Sequence, residues 1–394
     1  MSIRRTLNLA AGSFIGQGSM LITSILLLHN SNSNAGSITT ALGLVALATL
    51  VVDWGGLVAQ RQELTLSPDK PINIKNQINS RIPVAFLVAT VILASHFVEE
   101  TPLTTILLLA TPGIASQAFN TFGYLDILSK HSSHGLFSGF HYLAASAYIL
   151  AKILSNETPD PATIGFTISL ALLLTNFGST LATISLSKTK TRQPFSIPAS
   201  HKLIKEGATI TTTLLPGQLI SRCAATYLLG LNQDTAAAIY NLSKNLTSIY
   251  TQAISISRRG FYSKIHSRSI KTTKHRTIFS QQIEPNLLGL AIIAASSITW
   301  ALLDQTIISL ATAAILGAHC AAWSLSSSYY FKLQIVGNNR LQSIHSIICA
   351  VITPPLIIIG TSKSAEGIIF LETLISFVTF ALLYLASRQM KQAK

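Results

Sequence analysis

Charged side chains are scarce in this chain of 394 residues: 28 Lys and Arg with 14 Asp and Glu amount to 11% of it, where a soluble domain carries about 25%. So few charges cannot solvate a water-facing surface, which excludes a soluble globular protein. Cysteine is equally thin. Cys223, Cys320 and Cys349 fall inside apolar segments with no C-x-x-C spacing, so neither a disulfide frame nor a metal site is expected. The H-E-x-x-H, G-x-S-x-G and Walker A patterns are missing, so no hydrolytic or nucleotide-driven centre is expected, and no cofactor is implied. The ten histidines are scattered. His141 and His319 stand in apolar segments, where a lone histidine is most simply a hydrogen-bonded packing residue.

What fills the chain instead is hydrocarbon: 49% of residues are apolar and the mean hydropathy is +0.48, spread over the whole length. At about 20 residues per span, twelve candidate helices fit: 7–29, 38–59, 82–98, 103–128, 135–154, 162–186, 203–230, 235–257, 286–303, 307–331, 343–361 and 367–387. The stretch Leu7–Leu28 is too long for a signal-peptide core and has no A-x-A cleavage site, so it reads as the first span. The connections are short, which leaves no room for a soluble catalytic domain. Any function must sit inside the bilayer.

A formal net charge of +14 would suggest nucleic acid in a soluble protein, but here the basic residues sort by connection. With the N-terminus inside, Arg4, Arg5, Arg61, Lys70, Lys75, Arg81, Lys130, Lys188, Lys190, Arg192, the run from Arg258 to Arg276, Arg388 and Lys391 all fall on inside segments. The outside connections hold Glu99, Glu100, Glu157, Asp160, Asp234, Asp304 and Glu366 against Lys363. Retention of Lys and Arg on the cytoplasmic side sets topology, so both termini are expected inside. The Arg258–Arg276 run is an ordinary positive-inside loop on the simplest reading. A sharper reading docks it on anionic lipid headgroups, at about 1 kcal/mol per basic residue.

The Pro194 and Pro198 stretch splits the chain into six spans and six: an N-terminal lobe 1–186, a cytoplasmic linker 187–202 and a C-terminal lobe 203–394. Each half opens with a hairpin on a short Asn-containing connection, and each second helix is expected to end at a glycine beside charge, Asp53-Trp54-Gly55-Gly56 and Arg258-Arg259-Gly260. The offset from Gly56 to Gly260 equals that from Asn30 to Asp234. Such agreement suggests a duplicated six-helix unit.

The seventh and eighth spans carry the strongest polar signal. Asn241, Lys244, Ser248, Thr251 and Ser255 recur at steps of three and four, with Leu242, Leu246, Ile249 and Ala253 on another face. That pattern is an amphipathic helix inside a bilayer. A lysine at mid-membrane costs about 3 kcal/mol on insertion scales, so the polar stripe should face water or protein. Gln218, Arg222 and Thr226 share a face of the seventh span. Arg222 and Lys244 both rise to about 12–14 Å from the outer surface at 1.5 Å per residue. No carboxylate is expected at that depth; Glu372 stands about a turn inside the outer boundary. The two cations either snorkel, pair with helix-end carbonyls or pair with Glu372, or else they meet an anionic substrate, whose phosphate oxygens suit a bidentate Arg and a point-charge Lys.

Pro216-Gly217 in the seventh span should bend it, since proline deletes a backbone hydrogen bond there. Pro112-Gly113 and Pro354-Pro355 read as packing kinks. Asn8, Gly12, Gly16, Ser19 and Thr23 give the first span a small-residue face suited to close helix packing or to bordering a cavity.

Val51-Val52-Asp53-Trp54-Gly55-Gly56 resembles the Asp-aromatic-Gly element of the polysaccharide and lipid-linked oligosaccharide flippases in the multidrug/oligosaccharidyl-lipid/polysaccharide exporter superfamily, the O-antigen-type branch. Tyr227 to Gly230 and Ala238 to Lys244 resemble the start of that family's second lobe. The chain departs from the pattern at Ser257-Arg258-Arg259, where members usually have Phe-Pro, and in being short. The resemblance implies an all-α polytopic membrane protein of about twelve helices, in two pseudo-repeated six-helix lobes around a central and often cationic cavity, working by alternating access. It implies a flippase, not an enzyme, in the bacterial inner membrane. Its cargo would be an anionic, undecaprenyl-pyrophosphate-linked oligosaccharide, with the glycan polymerase and glycosyltransferases of lipopolysaccharide synthesis as pathway partners and no nucleic acid.

The expected substrate contacts are Arg222, Lys244, Gln218, Asn241 and Ser248, with Pro216 and Gly217 as the hinge. A cation-coupled multidrug antiporter of the same superfamily is the alternative. It would need an embedded carboxylate, and none is expected at the right depth. A glycan polymerase or ligase would commonly need a large external loop, and a major-facilitator transporter would need a different motif after its second span.

Overall fold

The computed structural model describes residues 3–30, 34–57, 59–60, 72–128, 139–187, 197–267, 293–294, 297, 309–335, 347–348, 351–358 and 364–392. All regular structure among them is helical. The long helices are α1 (Ile3–His29), α2 (Ala35–Asp53), α3 (Ile74–Val98), α4 (Pro102–Ser116), α5 (Phe140–Leu154), α6 (Pro161–Leu186), α7 (Ile197–Gly230), α8 (Asp234–Ser267), α9 (Leu310–Ile335) and α10 (Ala365–Gln392). A 3-10 turn (Gln117–Phe119) and a short helix (Phe122–Leu128) extend α4. The helices α1 to α8 match the first eight expected spans, and α9 and α10 match the tenth and twelfth. Most of 286–303 and of 343–361, together with Pro194, Cys349 and the basic residues from Arg268 to Arg276, lie outside the described residues.

Four segments, Ala35–Asp53, Ile74–Val98, Pro102–Phe119 and Pro161–Leu186, are long and apolar enough to cross a bilayer. Their exposure pattern shows which solvent they face. On α6 the outward residues are Phe166, Leu170, Leu174, Phe177, Leu181 and Ile184, while Ser169, Thr175, Asn176, Ser179 and Thr183 are buried. On α3, Phe86, Phe97 and Val98 are 74%, 81% and 86% exposed. Polar groups inside and large apolar groups outside, repeating at helical spacing, suit a lipid solvent.

The chain divides into two compact units, residues 2–222 and 223–394. In the first, α1 packs on α2 and α5, α5 on α6, α6 on α4, and α4 on α2 and α3, so that the six helices close on one another. Small residues set the tightest approaches. A Cβ on Gly113 would stand 2.5 Å from the Ser169 backbone, and one on Gly165 would stand 2.6 Å from the Ile106 carbonyl. Those glycines draw α4 and α6 together. The Gly113 amide donates to Ser169 Oγ at 2.9 Å, so the Pro112-Gly113 pair serves helix packing, as read from the sequence. The α1 face behaves likewise: a Cβ on Gly16 would stand 2.8 Å from Gly139, and Thr23 Oγ1 donates to Ser146 Oγ at 2.6 Å. In the second unit α9 packs on α10, and α8 contacts both.

Caps at the acidic ends follow the sequence closely. Thr101 and Thr104 form a reciprocal capping box at the start of α4, with Pro102 in the first turn. Asp160 caps α6 by accepting from the amides of Ala162 and Thr163. Between α7 and α8, Asn232 takes a positive φ of 57°, and the Gln233 amide donates to the Leu228 carbonyl at 3.0 Å. This left-handed closure at an asparagine is what permits so short a hairpin.

Three expected boundaries are corrected. α3 begins at Ile74 rather than 82, which carries Arg81 into the helix. α7 begins at Ile197 rather than 203, because Pro198 in a first turn forfeits no hydrogen bond. α8 continues through Arg258-Arg259-Gly260 to Ser267, whereas α2 stops at Asp53. The stop after α2 is a left-handed cap, with Trp54 at φ 48° and Gly55 at φ 70°; no such reversal occurs at Gly260, where glycine simply lowers helix propensity. The two glycine landmarks are therefore not equivalent, and that part of the evidence for duplication falls away.

Candidate functional site

The Asp53-Trp54-Gly55-Gly56 element builds a buried polar cluster at one end of the first unit. Asp53 Oδ2 accepts from the Leu57 amide at 3.0 Å, and Asp53 Oδ1 lies 3.8 Å from Arg81 Nη2. Arg81 is 1% exposed. Its Nη1 donates to the Asn120 carbonyl at 2.6 Å, which also receives Gln60 Nε2 at 2.9 Å. Gly56 is small for a visible reason: a Cβ there would stand 1.5 Å from Arg81 Nη2. The Trp54 indole donates to the Ile204 carbonyl at 2.9 Å, and Gly207 leaves room for the ring. The expectation that Arg81 is a solvated loop cation is thus corrected. It sits two turns inside α3 because that helix starts earlier than hydropathy indicates.

Arg222 lies at the end of this same unit. It is 7% exposed, and its guanidinium occupies the space that a side chain on Gly43 of α2 would take: a Cβ at Gly43 would stand 2.2 Å from Nη1 and 2.5 Å from Cζ. The ring of Tyr142 on α5 lies within electrostatic reach of that cation. Gln218, one turn earlier on α7, is exposed, as is Thr226, so the expected common face is divided, with only Arg222 turned inward. α7 runs as one helical segment across Pro216-Gly217.

The remaining expected contacts belong to the second unit. Asn241 is buried, and Lys244 and Ser248 are half-buried. No residue between 236 and 250 is exposed, so neither the polar nor the apolar face of this part of α8 lies open. Lys244 is not left without an acidic mate. Its Nζ forms an ion pair with Glu372 Oε2 on α10, while the Tyr240 hydroxyl donates to Glu372 Oε1 at 2.6 Å. The Lys244 ammonium also lies 5.3 Å from the centre of the Tyr240 ring, within range of a cation–π attraction. Next to this cluster, His319 Nδ1 on α9 is 3.5 Å from Thr373 Oγ1.

The expectation that no carboxylate reaches the depth of Lys244 is therefore corrected. Glu372 is seven residues into α10 and Lys244 ten into α8, about 10 and 15 Å along their axes. A lysine stem spans that difference by lying back along the helix. Residue counting locates α-carbons and takes no account of side-chain reach. Tyr240, Gly43 and the pairing of Asp53 with Arg81 are the functional candidates that the sequence left out, whereas Glu372 stood among the possible partners of the two cations. For Glu372 a signal existed, an acid inside an apolar helix; Gly43 shows none.

No family model matches this sequence, and no curated protein matches it. Solved structures do. A multidrug resistance MATE family transporter of the MOP superfamily in its inward-facing conformation superposes with a TM-score of 0.54 at 12% identity, covering 100% of this chain and 96% of that one. The outward-facing conformation of such a transporter gives a TM-score of 0.52 at 11% identity, over 99% and 96%. A eukaryotic MATE transporter gives 0.54 at 12% identity, over 98% and 95%. The chain has the all-helical polytopic membrane fold that these MATE transporters share.

Proposed function

We propose that this protein is a membrane transporter working by alternating access, and that its cargo is an anionic lipid-linked oligosaccharide carried across a bacterial inner membrane with both termini cytoplasmic. The observation that carries this reading is the Arg222 guanidinium, buried against Gly43 of α2. An arginine there costs about 3 kcal/mol on insertion scales, and a planar fork of donors matches phosphate oxygens bidentately. The full-length likeness to transporters seen in both inward-facing and outward-facing forms supports the transport cycle. In this reading Arg222 meets the pyrophosphate, Gln218 assists from the preceding turn of α7, and Asn241 and Ser248 of α8 are further contacts for the cargo. Lys244 takes part through its partner Glu372. Pro216 and Gly217 weaken α7 at the point where the halves must move. The basic C-terminal part of α8 would rest on anionic headgroups, and the polymerase and glycosyltransferases of the same glycan pathway would be its partners.

The experiment is a proteoliposome assay. A fluorescent polyprenyl-pyrophosphate oligosaccharide is incorporated, and its exposure to a membrane-impermeant quencher is followed. Wild type should equilibrate the probe between leaflets, Arg222→Lys should retain a fraction of that rate, and Arg222→Ala should lose it. Undiminished flipping by a folded Arg222→Ala protein would refute the site. A second reading, a cation-coupled multidrug antiporter, is favoured by one observation, the buried carboxylate of Glu372. Efflux of cationic dyes driven by a sodium or proton gradient, with no movement of the glycolipid probe, would decide for it.

A further inference from the structure

Both oxygens of Glu372 are engaged from α8: Oε1 by the Tyr240 hydroxyl at 2.6 Å and Oε2 by the Lys244 ammonium. The carboxylate side chain is 5% exposed and the lysine side chain 14%. A carboxylate so far from water must be neutralised by a proton, a metal cation or a cationic side chain, because bare burial of its charge is prohibitive. Here the neutralising charge belongs to the chain itself. The ammonium is a compact monovalent cation on a flexible stem, with the face of the Tyr240 ring beside it. The other described titratable groups near the pair are His319 and Cys320 on α9, and neither is a fixed negative charge. Glu366, two turns earlier on α10, accepts from Ser309 and Thr312 instead.

We propose that Lys244 is a tethered counter-cation that fills a monovalent-cation seat at Glu372, so that the native protein binds neither sodium nor a proton there, and that removing the ammonium turns Glu372 into a site for one or the other. The inference does not depend on which substrate the protein carries. It speaks directly to coupling, since a cation already bonded to the backbone cannot be exchanged across the membrane.

The test measures thermal unfolding of the purified full chain in detergent. One arm titrates sodium chloride against choline chloride at alkaline pH, and the other titrates pH in choline chloride. Wild type should unfold at one temperature along the sodium series. Lys244→Met should gain several degrees from sodium, from acid, or from both, because a ligand bound only by the folded state raises its midpoint. The sodium arm identifies a metal cation and the pH arm a proton. Lys244→Arg, which restores a fixed cation, and the neutral pair Lys244→Met with Glu372→Gln should both lose that gain. A folded Lys244→Met protein that responds no more than wild type overturns the inference. So does a Lys244→Met protein that folds under no combination of sodium and acid. A wild-type sodium response abolished by the neutral pair also overturns it, and would favour the antiporter reading without touching the role of Arg222.

Discussion

Gly43→Ala should separate the placement of Arg222 from the stability of the helices around it. The added Cβ would stand 2.2 Å from Nη1, 2.5 Å from Cζ and 2.9 Å from Nε of Arg222, and no backbone atom of a neighbouring helix is among those nearest contacts. Ordinary van der Waals contact begins near 3.4 Å, so the guanidinium must retreat by about 1 Å, which the far end of a long side chain can do. Alanine in place of glycine inside α2 returns up to about 1 kcal/mol of helix propensity, offsetting part of the cost of moving the cation. The unfolding midpoint should therefore stay close to that of wild type. The rate should not: a displacement of about 1 Å in a positioning group can cost about 100-fold. Flipping of the fluorescent pyrophosphate glycolipid, measured beside the unfolding midpoint on the same preparation, reads both quantities. Wild-type flipping with an unchanged midpoint would refute the claim that the seat at Gly43 matters. A collapse of the midpoint would refute the claim that the arginine, rather than the helix, gives way.

Gly113→Ala and Gly165→Ala set the contrast, because their new Cβ atoms would meet backbone of the facing helix at 2.5 and 2.6 Å; forcing α4 and α6 apart should cost about 1–3 kcal/mol, read as a lowered midpoint irrespective of substrate. Arg81→Met leaves Asp53 buried without its cation and should cost about 3–5 kcal/mol, whereas pairing it with Asp53→Asn should recover much of that loss; equal midpoints for the single and double variants would refute the ion pair. Asp160 lies in the connection between α5 and α6, and its hydrogen bonds to Thr163 hold its carboxyl below the ordinary 3.8. Its folded-state pKa is lowered, so the cap contributes stability above pH 3.8 that is lost as the pH falls through the folded value. Asp160→Ala should cost about 1 kcal/mol at neutral pH, and the wild-type and variant midpoints should converge as the solution is acidified below about pH 4.

Hydrocarbon content and the sorting of Lys and Arg by connection were enough to read a polytopic helical membrane protein from the sequence, and eight successive helices fall where apolar runs end at polar punctuation. Those properties are local: a span needs about 20 apolar residues, and a turn needs residues such as Asn232 that accept a positive φ. Helix ends beyond the apolar run were not legible. The first turns of α3 and α7 and the last turns of α8 are polar, and packing or continued helix propensity extended them where hydropathy had stopped. The motif at Asp53-Trp54-Gly55-Gly56 was visible as a motif, but its partners Arg81, Asn120 and Ile204 are far away in sequence, so its chemistry was not.

The candidate site divides along the same line. Sequence alone makes Arg222 and Lys244 candidates, because similar depths for the two are expected from counting residues from the hairpin between α7 and α8. Only the tertiary structure decided their company: Gly43 beneath the guanidinium of Arg222, and Glu372 with Tyr240 around the ammonium of Lys244. Counter-charge across helices is set by which faces pack and by how far a side chain reaches, and neither is written in the spacing of one helix. That is why the pairing of Lys244 with Glu372, one of several outcomes open in the sequence, was decided only by the fold.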